Sequence, residues 1–276
     1  MTPLRVGTRG SALALIQARW VAARLPGAET VEITTSGDQA RGIGDKSRWV
    51  DTIEAALVAG EIDLAVHSAK DVPGELAEGC ELAATPPRAA AGDVLIGNWG
   101  DGARVGTSSL RRRAQLLSVR PDLEVVELRG NVDTRLRKLD AGEVDAVVLA
   151  AAGLERLGVE RAGEALDFVP APGQGTLALE IRADDHQTRA SIESLNHEPT
   201  FAALRAERAA VRVLEASCHT PVGIHAQDGT IRGFVGLPDG SAWVADEVAG
   251  VDGEALARRM LTAGAGDLLA RAEAMA

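Results

Sequence analysis

The phrase VGTRGSALAL at Val6 returns in altered form as VGTSSLRRRAQL at Val105, and GEIDLAVHSAKD at Gly60 returns as GEVDAVVLAAAG at Gly142. Two versions of one pattern, in the same order, constrain the first half of the chain to a duplicated domain. The strands of the pattern read LRVGT, VEITTS, DLAVHS, VLIG, RVGTSS, EVVELRG and DAVVLA, and amphipathic stretches such as SALALIQARWVAARL and WVDTIEAALVAG lie among them. That alternation predicts α/β architecture, with βα units on mainly parallel sheets. From about Thr200 the pattern changes. A helix, TFAALRAERAAVRVLEA, precedes turn-punctuated strands and a last helix, GEALARRMLTAGAGDLLARAEAM, which predicts a third, small α+β domain. Residues 85–92 (TPPRAAAG) and 169–175 (VPAPGQG) read as hinges. The expected domains are 1–87 plus 176–195, 92–170 and 198–276; a chain of 276 residues has material for all three.

The repeat also acts as a control on single residues. Where the second copy has Leu149, Ala152 and Gly153, the first has His67, Lys70 and Asp71. A strand exit that works with neutral residues has no structural need of a Lys-Asp pair, so those charges point to chemistry. Asp71, at a strand end facing a cleft between two α/β domains, is placed to steady a developing cation or to move protons. The bland alternative is an aspartate that pairs with Lys70 or caps the VPGEL turn. His67 reads more simply as a satisfied polar residue.

At each VGT turn a strand gives way to a helix, with Thr8 and Ser11 in one copy and Thr107, Ser108 and Ser109 in the other. Free backbone N–H groups, hydroxyls and a positive helix end make such turns anion sites, unless the serines serve only as N-caps beside a solvated arginine face. Arg9 joins the first turn and Arg111, Arg112 and Arg113 the second, while LRGNVDTRLRK brings Arg129 and Arg135. Guanidinium forks suit bidentate binding of carboxylates, so the inferred ligand carries several. Between Arg104 and Lys138 there are nine basic residues against four acidic ones, inside a chain of net charge -11. The overall acidity and 3% aromatic content argue against nucleic acid as the anion. Reading SSLRRRAQLL as a DNA-recognition helix lacks a second motif helix.

Cys80 and Cys218 are too few for a disulfide framework. Cys80 reads as packing. Cys218, on the loop in LEASCHTPVG, can become a nucleophile where cations stabilise its thiolate. With His219 and His225 it lacks further well-spaced ligands, so no metal is expected. No apolar run approaches the roughly 20 residues needed to cross a bilayer, and no signal-peptide core precedes the first strand. A cytoplasmic protein without membrane partners is expected.

Taken in order, VGTRGSALAL, DLAVHSAKDVP, VGTSSLRRRAQL, LRGNVDTRL, AAGLERLG, APGQG and CHTPVG resemble the porphobilinogen deaminase, or hydroxymethylbilane synthase, family from Val6 to about Gly240. The resemblance implies two α/β domains like periplasmic binding proteins, joined by crossing hinge strands, and a third domain. It also implies a transferase of tetrapyrrole and heme biosynthesis that joins four porphobilinogen molecules on a dipyrromethane cofactor held by a thioether to Cys218. By similarity Asp71 is catalytic, and Lys70, Ser109, Arg111 and Arg112 grip the cofactor's carboxylates. Arg9, Ser11, Arg129, Arg135 and Arg156 would hold the incoming substrate. The resemblance further implies a monomer that hands its product to the next enzyme of the pathway. Three departures stand out. The family's mobile loop ending in G-G-K-G-L-F reads ARGIGDKSRWVDTIE, in which Lys46 and Trp49 align with its second lysine and its phenylalanine and Gly42 replaces the first lysine. The D-P-R-D-A hinge reads RAAAGDVL, keeping Arg88 and Asp93, and the C-terminal domain is short. A non-catalytic binder of a small polycarboxylate is the competing reading, against which the retention of both Asp71 and Cys218 counts.

Overall fold

The computed structural model describes residues 3–35, 47–217 and 220–275, with residues 47–49 described in backbone only. In chain order the first elements are β1 (Arg5–Arg9), α1 (Ala12–Ala22), β2 (Glu29–Ile33), α2 (Ser47–Val58), β3 (Leu64–Ser68), a 3-10 turn over Ala69–Asp71, and β4 (Cys80–Ala84). Next come β5 (Asp93–Gly97), β6 (Arg104–Gly106), α3 (Leu110–Val119), β7 (Glu124–Val126), α4 (Val132–Asp140), β8 (Ala146–Ala150), α5 (Ala151–Arg156) and β9 (Glu164–Leu166). The chain then forms β10 (Leu177–Arg182), α6 (His186–Ile192) and α7 (Glu198–Val213). It ends with β11 (Val222–Gln227), β12 (Thr230–Gly236), β13 (Trp243–Ala249), α8 (Gly253–Thr262) and α9 (Ala265–Met275).

The duplication read from the sequence is a duplication of topology. One sheet has the order β2-β1-β3-β10-β4 and the other β7-β6-β8-β5-β9. The registers agree as well. Val6 pairs with Leu64 and Gly7 with Ala65 in the first sheet, as Val105 pairs with Ala146 and Gly106 with Val147 in the second. The sheets are mixed rather than mainly parallel. In each, the first three strands are parallel, while β10 or β5 runs antiparallel to both of its neighbours. The physical reason is the crossing of the chain: each antiparallel strand follows a hinge, 85–92 or 169–175, instead of a helical crossover.

Apolar residues cover both faces of each sheet. In the first, Val6, Leu64, Val66 and Leu179 pack with Ala18 and Val21 of α1, and Ala65 and Ile62 pack on the other face with Ile53 and Leu57 of α2. In the second, Val105, Ala146 and Val148 meet Leu116 of α3, and Ile96, Val147 and Leu149 meet Leu136 of α4. The chain divides into two compact units, Met1–Ala89 with Gly175–Ala202, and Ala90–Gln174 with Ala203–Ala276. The small α+β domain, an antiparallel β11-β12-β13 sheet under α7, α8 and α9, groups with the second unit. The expected single last helix is two: it breaks at Gly264, whose φ of +99° no helical residue adopts.

Candidate active site

Asp71 closes the 3-10 turn that continues β3, and both it and Lys70 are half-buried. The turn is held from several directions. Ser68 at its start exchanges a hydrogen bond with Gln17 of α1, at 3.0 Å from the glutamine nitrogen, and the Ala69 N–H donates to Thr176 O at 2.9 Å. At the equivalent place in the second sheet, β8 runs into the ordinary helix α5, with Ala152 and Gly153 buried. Asp71 therefore sits where the other copy of the fold forms a helix.

His67, one residue before Ser68, places Nε2 2.8 Å from a carboxylate oxygen of Glu180 on β10, and both side chains are buried. The sequence reading of His67 as a partnered polar residue agrees with this. Glu54 of α2 faces the same pair and accepts the Ala77 N–H at 3.1 Å; burial, then the charge of Glu180, pushes its carboxyl up to about 7.

Both predicted anion turns are helix N-termini capped by the expected serine. Ser11 Oγ accepts from Ala14 N at 3.3 Å, and Ser109 Oγ accepts from Arg112 N at 3.4 Å. The hydroxyls thus perform the cap role, and the arginines decide what else each turn can do. Arg9 is half-buried at the end of β1. Arg135 reaches the second turn, donating to Ser108 Oγ at 3.1 Å and to Gly130 O at 2.8 Å. A side chain at Gly130, whose φ is +120°, would collide with Thr134. Arg129 lies in an exposed 2.7 Å ion pair with Glu127. Arg156, half-buried at the end of α5, has its pKa lowered by burial.

Arg111 and Arg112 are 4% and 5% exposed, so they are not a solvated face. Both converge on Asp93, at 2.7 Å from Arg111 Nη1 and 2.8 Å from Arg112 Nη2. Gln174 donates to the same carboxylate at 2.9 Å, and to Ala91 O, so the cluster ties β5 to the second hinge. Arg112 Nη1 also donates to Val148 O and Arg111 Nη1 to Val169 O, each at 2.8 Å. Burial pushes the Asp93 carboxyl up, but Arg112 and Arg111 together pull it well below the usual carboxylate range. Two guanidiniums share one carboxylate, which leaves one positive charge in excess. Arg111 Nε is a buried donor with no hydrogen-bond partner among the described residues. A further anion would meet both needs.

Arg113 is different: its Nε donates to Pro238 O at 3.2 Å and ties α3 to the small domain. Cys218 and Lys46 lie outside the described residues, as does the side chain of Trp49. Three carboxylates drew no notice in the sequence. Glu54 and Glu180 belong to the His67 cluster. Glu207, wholly buried on α7, accepts the N–H groups of Gly173 in the hinge and Ala226 in β11, at 2.6 and 2.8 Å. Comparing the copies at Glu54 and Glu180 would have exposed the first two; nothing in sequence marks Glu207.

Residues 4–190 match the family model described as porphobilinogen deaminase, dipyromethane cofactor binding domain, and residues 201–261 match porphobilinogen deaminase, C-terminal domain. A porphobilinogen deaminase of Desulforudis audaxviator is 47% identical over 301 residues, covering 98% of this chain and 97% of its own. Those of Trichlorobacter lovleyi and Thermus thermophilus are each 46% identical, covering 95% and 96% of this chain and 94% and 98% of their own.

Proposed function

Because the chain belongs to the porphobilinogen deaminase family, we infer that it is a hydroxymethylbilane synthase. It joins four porphobilinogen molecules head to tail with loss of four ammonia molecules, and one water releases the linear tetrapyrrole. The dipyrromethane group supplies the primer, whose free pyrrole carbon is the first nucleophile. The observation that carries the reading is the match along nearly the whole chain to curated deaminases; the half-buried Lys70–Asp71 turn and the buried Arg111–Arg112 pair support it.

Residue roles follow from the local chemistry. The buried excess charge beside Asp93 and the unpartnered Arg111 Nε support a carboxylate of the cofactor at Arg111 and Arg112, with Ser109 and Lys70 as further donors. Cys218 forms the thioether anchor. Loss of ammonia from porphobilinogen leaves a cation delocalised onto its pyrrole nitrogen, and the Asp71 carboxylate stabilises that charge while accepting the N–H. The carboxylate is half-buried on a turn fixed by Gln17 and Thr176, which supports low reorganisation as the charge develops. Arg9, Ser11, Arg129, Arg135 and Arg156 take the acetate and propionate groups of the incoming substrate. By the same reading Lys46 and Trp49 act beside the incoming substrate, Trp49 from the first turn of α2 and not from a loop. No helix among the described residues is long and apolar enough to cross a membrane. The reading includes a cytoplasmic monomer that passes its unstable product to the next enzyme.

The test is turnover. Purified protein given porphobilinogen should release one ammonia per porphobilinogen consumed and form a linear tetrapyrrole; binding without ammonia release would instead favour a non-catalytic polycarboxylate binder.

A further inference from the structure

The two sheets invite comparison at three buried positions. The registers make His67 equivalent to Leu149 and Glu180 equivalent to Ile96: Glu180 pairs with Ala65 as Ile96 pairs with Val147. Glu54 is equivalent to Leu136. The helices α2 and α4 finish alike, Gly60 N donating to Leu57 O as Gly142 N donates to Leu139 O, and Glu61 N to Ala56 O as Glu143 N to Lys138 O. In the second copy Leu136, Leu149 and Ile96 lie together in one buried apolar cluster. In the first copy the same three places hold two carboxyls and an imidazole, with Glu54, His67 and Glu180 at 5%, 6% and 0% exposure.

Buried charge is a costly way to fill a site that hydrocarbon fills equally well, and exchanging such groups for apolar residues of similar volume is often neutral or stabilising. Stability therefore does not account for the cluster. Its contacts show what else it does. His67 ends one side of the Asp71 turn, and its ion pair with Glu180 crosses diagonally from β3 to β10, one residue before the turn begins. Glu54 accepts the N–H of Ala77, in the irregular segment that follows the turn, six residues after Asp71. In the second copy a helix, α5, continues the strand and needs no such hold; in the first, residues 72–79 form no regular element.

Resting on the deaminase reading above, we propose that Glu54, His67 and Glu180 are positioning residues that hold the Asp71 turn from the strand that enters it and from the irregular segment that follows it, in the conformation the reaction requires. The groups around Glu54 are Glu180 on β10, His67 on β3 and Cys80 on β4, with Arg182 acting on Cys80 from β10. Asp51, Glu75 and Glu78 line the neighbouring surface groove. Burial first, and then the neighbouring charge of Glu180, push the Glu54 carboxyl up to about 7.

The experiment grafts the second copy's residues onto the first: Glu54→Leu with His67→Leu and Glu180→Ile, in the cofactor-loaded protein. Expected are a melting temperature equal to or above that of the parent, a KM for porphobilinogen within about twofold, kcat at least tenfold lower, and faster amide exchange across residues 68–77. Unchanged kcat, or unchanged exchange in this segment, would overturn the proposal. If the triple variant does not fold, Glu54→Ala and Glu54→Gln decide. Gln still accepts from Ala77 and donates to Glu180, so it should keep kcat where Ala loses it; equal kcat in both overturns the proposal. Parallel turnover by the parent separates this outcome from failure of the deaminase reading, since a parent without ammonia release defeats that reading alone, and the exchange measurement stands either way.

Discussion

Replacing Asp93 with Asn tests whether the paired arginines are committed inside the protein. The carboxylate is 1% exposed and receives Arg112 Nε at 3.1 Å, Arg112 Nη2 at 2.8 Å, Arg111 Nη1 at 2.7 Å and Gln174 Nε2 at 2.9 Å. The amide keeps the shape but removes the charge that pairs with two buried guanidiniums, and it turns an N–H group toward them. Removing one partner of a buried ion pair costs about 3–5 kcal/mol. For a unit of this size, each kcal/mol lowers the melting temperature by roughly 2–4 °C, so the expected drop is about 6–20 °C. The pH dependence has a definite sign. A carboxyl whose folded pKa is depressed contributes stability above its unfolded value of 3.8, and loses it only as pH falls toward the folded value. The difference between parent and variant should thus be flat from pH 5 to 8. Calorimetry and circular dichroism across that range measure it. A melting temperature within 2 °C of the parent would mean that Arg111 and Arg112 reach water in solution and are not committed to Asp93.

Asp71→Ala should leave the melting temperature nearly unchanged and lower kcat by about 10²–10³, as loss of a preorganised charge-stabilising group does; near-parental turnover removes Asp71 from the mechanism. Glu54 should make stability fall as pH rises. Its folded pKa of about 7 lies above the ordinary 4.5, so its contribution is complete below 4.5 and is lost through pH 7, by at most about 3 kcal/mol. Urea unfolding of Glu54→Gln should accordingly show a gain over the parent at pH 8 that is absent at pH 4.5. Glu127→Gln should release Arg129 from its exposed pair and lower KM for porphobilinogen by roughly 1.4- to 5-fold, with no change in an Arg129→Ala background; the kinetic cycle measures both.

The doubled architecture was legible because strand and helix periods repeat with the same turn residues: Val6–Thr8 and Val105–Thr107 mark the same strand-to-helix step. The crossing strands were less so: VLIG (β5) reads locally like any other strand, β10 at Leu177–Arg182 was not among the strands read, and only the hinges before them make both antiparallel. Asp71 stands out as a candidate through its neutral counterpart Gly153. The arginines were legible as a charge cluster, but not in their division of labour. A sequence cannot tell that Arg113 turns to Pro238 while Arg111 and Arg112 turn inward to a carboxylate 18 and 19 residues earlier in the chain. The His67 cluster escaped notice because its three members come from α2, β3 and β10 and meet only once the sheet has formed.

The most direct test of the central claim, growth of a polycarboxylate chain on a primer fixed to Cys218, is intact mass. Protein purified from a porphobilinogen-producing cell should carry an adduct of two pyrrole units, and brief exposure to porphobilinogen should add a ladder of further units, all located to the Cys218 peptide and absent from Cys218→Ala. An unmodified mass before and after substrate would contradict the account.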